Sequence, residues 1–301
     1  MDLTARLGPL GLRSPLIAAS GTVGSVIEFA EVADLGVYGA AVAKSVSGEP
    51  WAGRPAPRMA PAGAGMLNGI GIQNPGIDRW VAETGSRIAG LGVPVWGSAV
   101  GETPAEFARV AAGLEGAGVA AVEVNLSCPN LHGRMFALDP AASAEVVAAV
   151  RRSVAVPVGA KLSPNSPDVA DVAGAAAGAG ADFVVVGNTV WGAAIDPVTR
   201  RPALSGVIGG YSGPPIKPIA LRCVIEVRRA HPDLPIVGCG GVRRGTDVVE
   251  FLLAGASAVA VGTAHFAAPR SGRRIVAELH RFGKRRGVGA VADLVGRMEP
   301  W

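Results

Sequence analysis

Short apolar runs recur along this chain at fairly even intervals, and a helix-like stretch follows most of them. The runs occupy residues 15–20, 39–45, 95–100, 119–124, 156–162, 182–188, 234–239 and 257–262. Helical patterning falls at 25–35, 77–91, 141–154, 168–179, 216–230, 246–254 and 271–286, and a further helix opens at Thr103, with Glu106 three residues on at capping-box spacing. Strands this continuously apolar are buried on both faces, and strands that alternate with helices run parallel. About eight such units predict a closed (β/α)8 TIM barrel; an open doubly wound sheet is the alternative. One domain over 1–301 is expected. Two long loops, 48–76 and 189–214, read as parts of a site rather than as a second domain.

The composition narrows the function classes. Apolar residues make up 49%, yet no run approaches the roughly 18–20 uninterrupted apolar residues of a membrane span. The N-terminus, Met1-Asp2-Leu3-Thr4-Ala5-Arg6, lacks a signal-peptide pattern. Cys128, Cys223 and Cys239 are odd in number and far apart, which points to reduced thiols in the cytoplasm. They also lack the spacing of an iron–sulfur site, and none of the four histidines forms a metal-ligand pair, so no metal is expected. The net charge of +4 gathers late, at Arg243-Arg244 and across 270–286. With few aromatics there for base stacking, that run reads as a solvated helix face rather than a nucleic-acid surface.

In barrel enzymes the chemistry sits at the carboxyl ends of the strands. Here those ends carry Ser20-Gly21, Lys44-Ser45, Ser98, Asn125, Lys161, Asn188-Thr189, Gly240-Gly241 and Gly262-Thr263. Lysines closing apolar strands are costly unless paired with an anion or a ligand. Asn68, Asn125 and Asn188 supply donors and acceptors suited to a planar, amide-bearing ring. Glycine turns after the last two strands let backbone N–H groups approach a phosphate. The stretch 238–245 imitates a dinucleotide fingerprint but lies too late in the chain for one. The hexapeptide Asn125-Leu126-Ser127-Cys128-Pro129-Asn130 brings a thiol to a strand end where Pro129 forces a turn. Cys128 is the candidate catalytic base; the alternative is a cysteine that packs as a small hydrophobe.

These residues, with Ala19, Met66 through Gly76, Lys161-Leu162-Ser163-Pro164-Asn165 and Ser212-Gly213-Pro214-Pro215-Ile216-Lys217-Pro218, resemble the dihydroorotate dehydrogenases over essentially the whole chain. They look most like the catalytic subunit of the NAD-linked class (class 1B). The resemblance implies a barrel holding FMN at the C-terminal face of its strands, which oxidises dihydroorotate to orotate in pyrimidine synthesis with Cys128 as base. It implies cofactor contacts from Ser20, Gly21, Lys44, Ser45, Ser98, Asn125, Lys161, Gly187, Gly213, Gly240, Gly241, Gly262 and Thr263. Substrate contacts are implied for Lys44, Asn68, Gly69, Ile70, Gly71, Ile72, Asn125, Asn188 and Thr189. It further implies a homodimer and a partner subunit with FAD and a [2Fe-2S] cluster that delivers electrons to NAD. The family's membrane-bound class carries serine at the base position, unlike this chain. Three stretches depart from the family pattern: the shortened loop 131–139, Trp191-Gly192-Ala193, and Cys239. A dihydropyrimidine dehydrogenase-like subunit, a fumarate-coupled class 1A enzyme and a flavin-bearing scaffold are the competing readings.

Overall fold

The computed structural model describes residues 1–127 and 136–299. Within them eight parallel strands close a barrel: β1 (Leu16–Ala18), β2 (Ala40–Val42), β3 (Val95–Ala99), β4 (Ala121–Asn125), β5 (Val158–Lys161), β6 (Phe183–Val186), β7 (Ile236–Cys239) and β8 (Ala258–Val261). Each strand pairs with its chain neighbour, and β8 closes onto β1. The expected (β/α)8 architecture is therefore present. Four strands are entered through a proline, at Pro15, Pro94, Pro157 and Pro235. Proline lacks an N–H but keeps its carbonyl. All four carbonyls accept from a neighbouring strand, as in Val122 N–H to Pro157 O at 2.9 Å. The sequence runs overshoot the strands here because apolar character continues one or two residues past the ladder.

Between the strands lie α1 (Ile27–Ala30), then α2 (Ile77–Trp80), which continues through a π-turn into α3 (Ser86–Ile88). The longer helices are α4 (Pro104–Gly116), α5 (Pro140–Ser153), α6 (Val169–Gly178), α7 (Lys217–Ala230) and α8 (Gly245–Leu253), followed by the short α9 (Ala264–Ala267) and then α10 (Ser271–Arg286). Side-chain oxygens of Thr103, Asp139 and Asp168 cap α4, α5 and α6. The capping box at α4 forms on one arm only. Thr103 Oγ1 accepts from Glu106 N, whereas the Glu106 carboxylate accepts from Gly48 N and Glu102 N. It thereby ties the loop after β2 to α4. The helix expected over 25–35 is cut short after Ala30, and Asp34 opens a separate 3₁₀ turn by accepting from Gly36 N. Among the described residues, no helix is long and apolar enough to cross a membrane.

Strand alternation sorts the core into two layers. Outward residues such as Val122, Val124, Val184 and Val186 pack beneath the helices. Inward residues, among them Ile17, Val42, Trp96, Ala121, Phe183 and Val237, fill the barrel. The Trp96 and Phe183 rings lie 5.0 Å apart. Gly159 makes room for them, since a Cβ there would fall 2.2 Å from the Phe183 ring. An N-terminal hairpin (Ala5–Leu7 with Leu10–Leu12), absent from the sequence reading, inserts Leu7 and Leu12 into this interior cluster. Its turn uses Gly8 at φ +55° and packs on the Asp182 carbonyl just before β6. The hairpin closes the N-terminal end of the barrel and leaves the polar residues at the other end.

The two long loops are more ordered than expected. Residues Met59–Ala62 and Gly65–Asn68 from the first join Val190–Gly192 and Gly209–Ser212 from the second in a four-stranded antiparallel sheet. Reading each loop alone missed this sheet, because its central pairing joins segments far apart in sequence.

Candidate active site at the carboxyl ends of the strands

β4 places Ala121, Glu123 and Asn125 on one face by period-two alternation, and that face looks into the barrel. From Asn188 a chain of hydrogen bonds descends along it. Asn188 Nδ2 donates to Ser127 Oγ (2.5 Å), and Ser127 Oγ donates to Asn125 Oδ1 (3.0 Å). Asn125 Nδ2 donates to Ser45 Oγ (3.0 Å), which lies 2.9 Å from Ser98 Oγ. Ser98 Oγ donates over a long 3.5 Å to Glu123 Oε1. Lys161, at the end of β5, sets its Nζ 3.8 Å from the same carboxylate oxygen, and both side chains are buried. Burial pushes the Glu123 carboxyl above its ordinary range, while Lys161 and Ser98 pull it back. Cys239 closes β7 on the same interior, and burial raises its thiol, with the Lys161 charge opposing.

Around this polar column the glycine turns converge. A Cβ on Gly241 (φ +73°) would lie 2.8 Å from Lys217 N and 3.0 Å from Gly213 O. One on Gly213 (φ +98°) would come within 3.7 Å of Thr263, and one on Gly262 within 3.7 Å of Thr22. The turns after β7, β8 and β1 and the segment entering α7 thus share one corner of the barrel mouth. Gly187 joins this rim by donating to Cys239 O at 3.1 Å, and Ser20 Oγ donates to Ala43 O at 2.8 Å. Glycine lets these turns pack closely beside the N-terminus of the 14-residue α7, and backbone N–H groups at such a corner are the donors a phosphate takes. The residues present fit the phosphate end of FMN.

The antiparallel sheet brings Asn68 close to Thr189. Asn68 Nδ2 donates to Gly210 O (3.1 Å), and Gly210 lies against the Thr189 side chain. Asn188 Oδ1 accepts from Thr189 N. Lys44 is half-buried just past β2, its backbone N–H bonded to Gly24 O. Gly69 and Ile72 are buried, and Ile72 holds φ +53°, a strained value for a β-branched residue. Ile70 and Gly71 stand apart from the hydrogen-bonded chain, packed on Gly53 and Arg54. Cys128, with Pro129, Asn130 and 131–135 of the shortened loop, lies outside the described residues.

Two residues, Glu123 and His265, escaped the sequence reading, and a third, Asn74, entered it only as part of the stretch 66–76. Glu123 sits inside a run read as apolar, and its alternation with Ala121 and Asn125 was the available signal. Asn74 is buried and pins the 68–76 loop through bonds to Ser47, Ile72 O and Gly76 N. His265, on α9, fastens the β8 turn to the β1 turn, and no sequence pattern marks it. Thr22 Oγ1 donates to Ala19 O and so accepts from His265 Nδ1 (3.0 Å), leaving Nε2 to accept from the Tyr38 hydroxyl (2.9 Å).

Burial lowers the pKa of His265 from 6.5 to about 4. The unfolded chain therefore binds a proton in that window that the folded chain does not. Stability falls as pH drops from 6.5 towards 4, by up to about 3 kcal/mol from this group. Urea unfolding across that range should show the loss, and His265→Gln should flatten it. An equal slope in the variant would assign the acid sensitivity to other groups.

The dihydroorotate dehydrogenase family model matches residues 3–282. The chain is 46% identical over 301 residues to the dihydroorotate dehydrogenase B (NAD(+)) catalytic subunit of Pelobacter propionicus, with 99% of both chains covered. The subunit of the same name from Desulforudis audaxviator is 45% identical over 290 residues, covering 95% of this chain and 94% of the relative. Among solved structures, the crystal structure of DHODH in complex with ferulenol from Eimeria tenella superposes with a TM-score of 0.80 over 98% of this chain and 88% of that one. At 21% identity it supports the fold alone. With the family model spanning nearly the whole barrel and relatives this similar along its full length, the chain belongs to the dihydroorotate dehydrogenase family.

Proposed function

We propose that this chain is the catalytic subunit of an NAD-linked dihydroorotate dehydrogenase, one barrel domain over 1–301 that oxidises dihydroorotate to orotate in UMP synthesis. The observation that carries the reading is the meeting, at one barrel mouth, of a buried amide chain and a glycine cradle in a chain of this family. The family is FMN-dependent. FMN supplies the acceptor for the hydride that leaves dihydroorotate, and the protein supplies position and charge.

The glycine turns at Gly213, Gly240-Gly241 and Gly262-Thr263 hold the phosphate, with Ser20, Gly21 and Gly187 on the same rim. Lys44, Ser45, Ser98 and Asn125 line the ring, and Lys161 presents a cation to it. Asn68, Asn125, Asn188 and Thr189 orient the amide and carboxylate edges of the substrate, backed by the buried Gly69 and Ile72. Because each amide already holds a partner, it is fixed in rotamer before substrate arrives, so less ordering is needed on binding. Cys128 removes the proton from the carbon next to the one that loses hydride.

Electrons then leave the chain. Cys223 and Cys239 stand far apart in sequence and offer no cluster motif, so a partner subunit carrying FAD and a [2Fe-2S] cluster takes them to NAD. The chain itself pairs with a second copy. Trp191, Ile195, Val198 and Ile208 are exposed on the excursion after β6, an apolar surface of the kind a second copy covers. Unpaired thiols fit a cytoplasmic protein. The test is turnover with an artificial electron acceptor. Dihydroorotate should support it and dihydrouracil should not, with NAD reduced only when the partner is added. Turnover with dihydrouracil, or direct fumarate reduction, would overturn the substrate or the class.

A further inference from the structure

We propose that Glu123 is a positioning residue that, through Lys161, sets the redox potential of the bound flavin. The inference rests on the flavin reading above and deepens it. Glu123 lies deep in the barrel, two residues before Asn125 on the same inward face, and sits in register with Ser98 of β3 and Gly159 of β5. Both it and Lys161 are buried, with the charged atoms 3.8 Å apart. A carboxylate buried in this way is costly and earns its place only through its partners.

The Lys161 ammonium, 3.8 Å from Oε1, favours the carboxylate form of Glu123 against the pull of burial. Asn188, Ser127 and Asn125 each donate one step downward. Ser45 accepts from Asn125 and lies 2.9 Å from Ser98 Oγ, which in turn lies 3.5 Å from Glu123 Oε1. The chain ends at Glu123 Oε1, where a carboxylate can accept it. The groups facing it from neighbouring strands agree: Lys161 from β5 is the cation, Ser98 from β3 a neutral donor, and Cys239 from β7 a thiol kept neutral by burial.

A carboxylate beneath Lys161 has two effects. It fixes where the ammonium sits, and it offsets part of the charge that Lys161 presents to the ring. Reduction adds negative charge to a flavin, so an uncompensated cation would stabilise the reduced form. Glu123 holds the potential low enough for electrons to move on to the next carrier, which a dehydrogenase that exports electrons requires.

The experiment is a spectroelectrochemical titration of the flavin in four proteins: the parent chain, Glu123→Gln, Lys161→Met and the double variant. Glu123→Gln should shift the two-electron equilibrium towards the reduced flavin by at least tenfold, about 30 mV. Lys161→Met should shift it the other way. In the Lys161→Met background a carboxyl with no cation beside it takes up a proton, so adding Glu123→Gln should change the potential by less than twofold in the equilibrium. If the single glutamine variant does not fold, Glu123→Asp, which draws the carboxylate back from Lys161, takes its place and should shift the equilibrium the same way, and an unchanged potential there overturns the inference. An unchanged potential in Glu123→Gln, or an equal shift in both backgrounds, overturns the inference. A parent chain that holds flavin reducible by dihydroorotate, together with either of those results, overturns the inference alone. A parent that holds no flavin overturns the functional reading and the inference with it.

Discussion

Cys128→Ala retains FMN and loses dihydroorotate oxidation, with flavin reduction slowed by roughly 10²–10⁴-fold, the usual contribution of a positioned base. The cysteine follows Ser127, whose hydroxyl is held between Asn125 and Asn188 by bonds of 3.0 and 2.5 Å. The backbone leading to the thiol is therefore anchored to the side chains assigned to the substrate. The phosphate contacts lie on other strands, at the turns near Gly213, Gly241 and Gly262, so the substitution leaves them intact. An ordinary cysteine titrates near ~8.5. Flavin reduction in the parent should therefore accelerate as pH rises towards alkaline values. Anaerobic stopped-flow absorbance measures both effects. A variant that reduces its flavin at the parental rate would remove Cys128 from the mechanism.

Phe183→Ala should cost about 3–5 kcal/mol of stability, the range for deleting a large buried aromatic. Its ring is fully buried, lies 5.0 Å from Trp96, and occupies the space that Gly159 leaves open. No larger side chain on β5 can collapse into the void, because the residue facing it is glycine. The complementary change, Gly159→Ala, inserts a Cβ 2.2 Å from the same ring and should cost about 1–3 kcal/mol by overpacking. Combining the two should cost less than their sum, since the added methyl partly fills the cavity. Urea unfolding of the four proteins gives the cycle. Strict additivity would mean that the two residues do not share the space.

The barrel was legible because its signal is local. Eight apolar runs of similar length, alternating with amphipathic stretches, report parallel strands whatever the rest of the chain does. The strand-end residues were legible for the same reason, and Asn125, Lys161, Gly241 and Thr263 lie where that reading put them. What escaped depends on distance. The antiparallel sheet needs Asn68 to meet Gly210, and the His265 bridge needs Thr22, Tyr38 and the β8 turn together; neither pairing has a local pattern. Glu123 escaped for a different reason. A single charge in an apolar run was absorbed into the run, although its period-two spacing from Asn125 placed both on one face.

The central claim is that this barrel passes electrons from dihydroorotate to a bound flavin. Anaerobic titration of the purified chain with dihydroorotate, run in parallel with dihydrouracil and followed by absorbance, tests it most directly. The account predicts that dihydroorotate alone bleaches the flavin band. A flavin that dihydroorotate leaves oxidised, or one that dihydrouracil bleaches as readily, would contradict it.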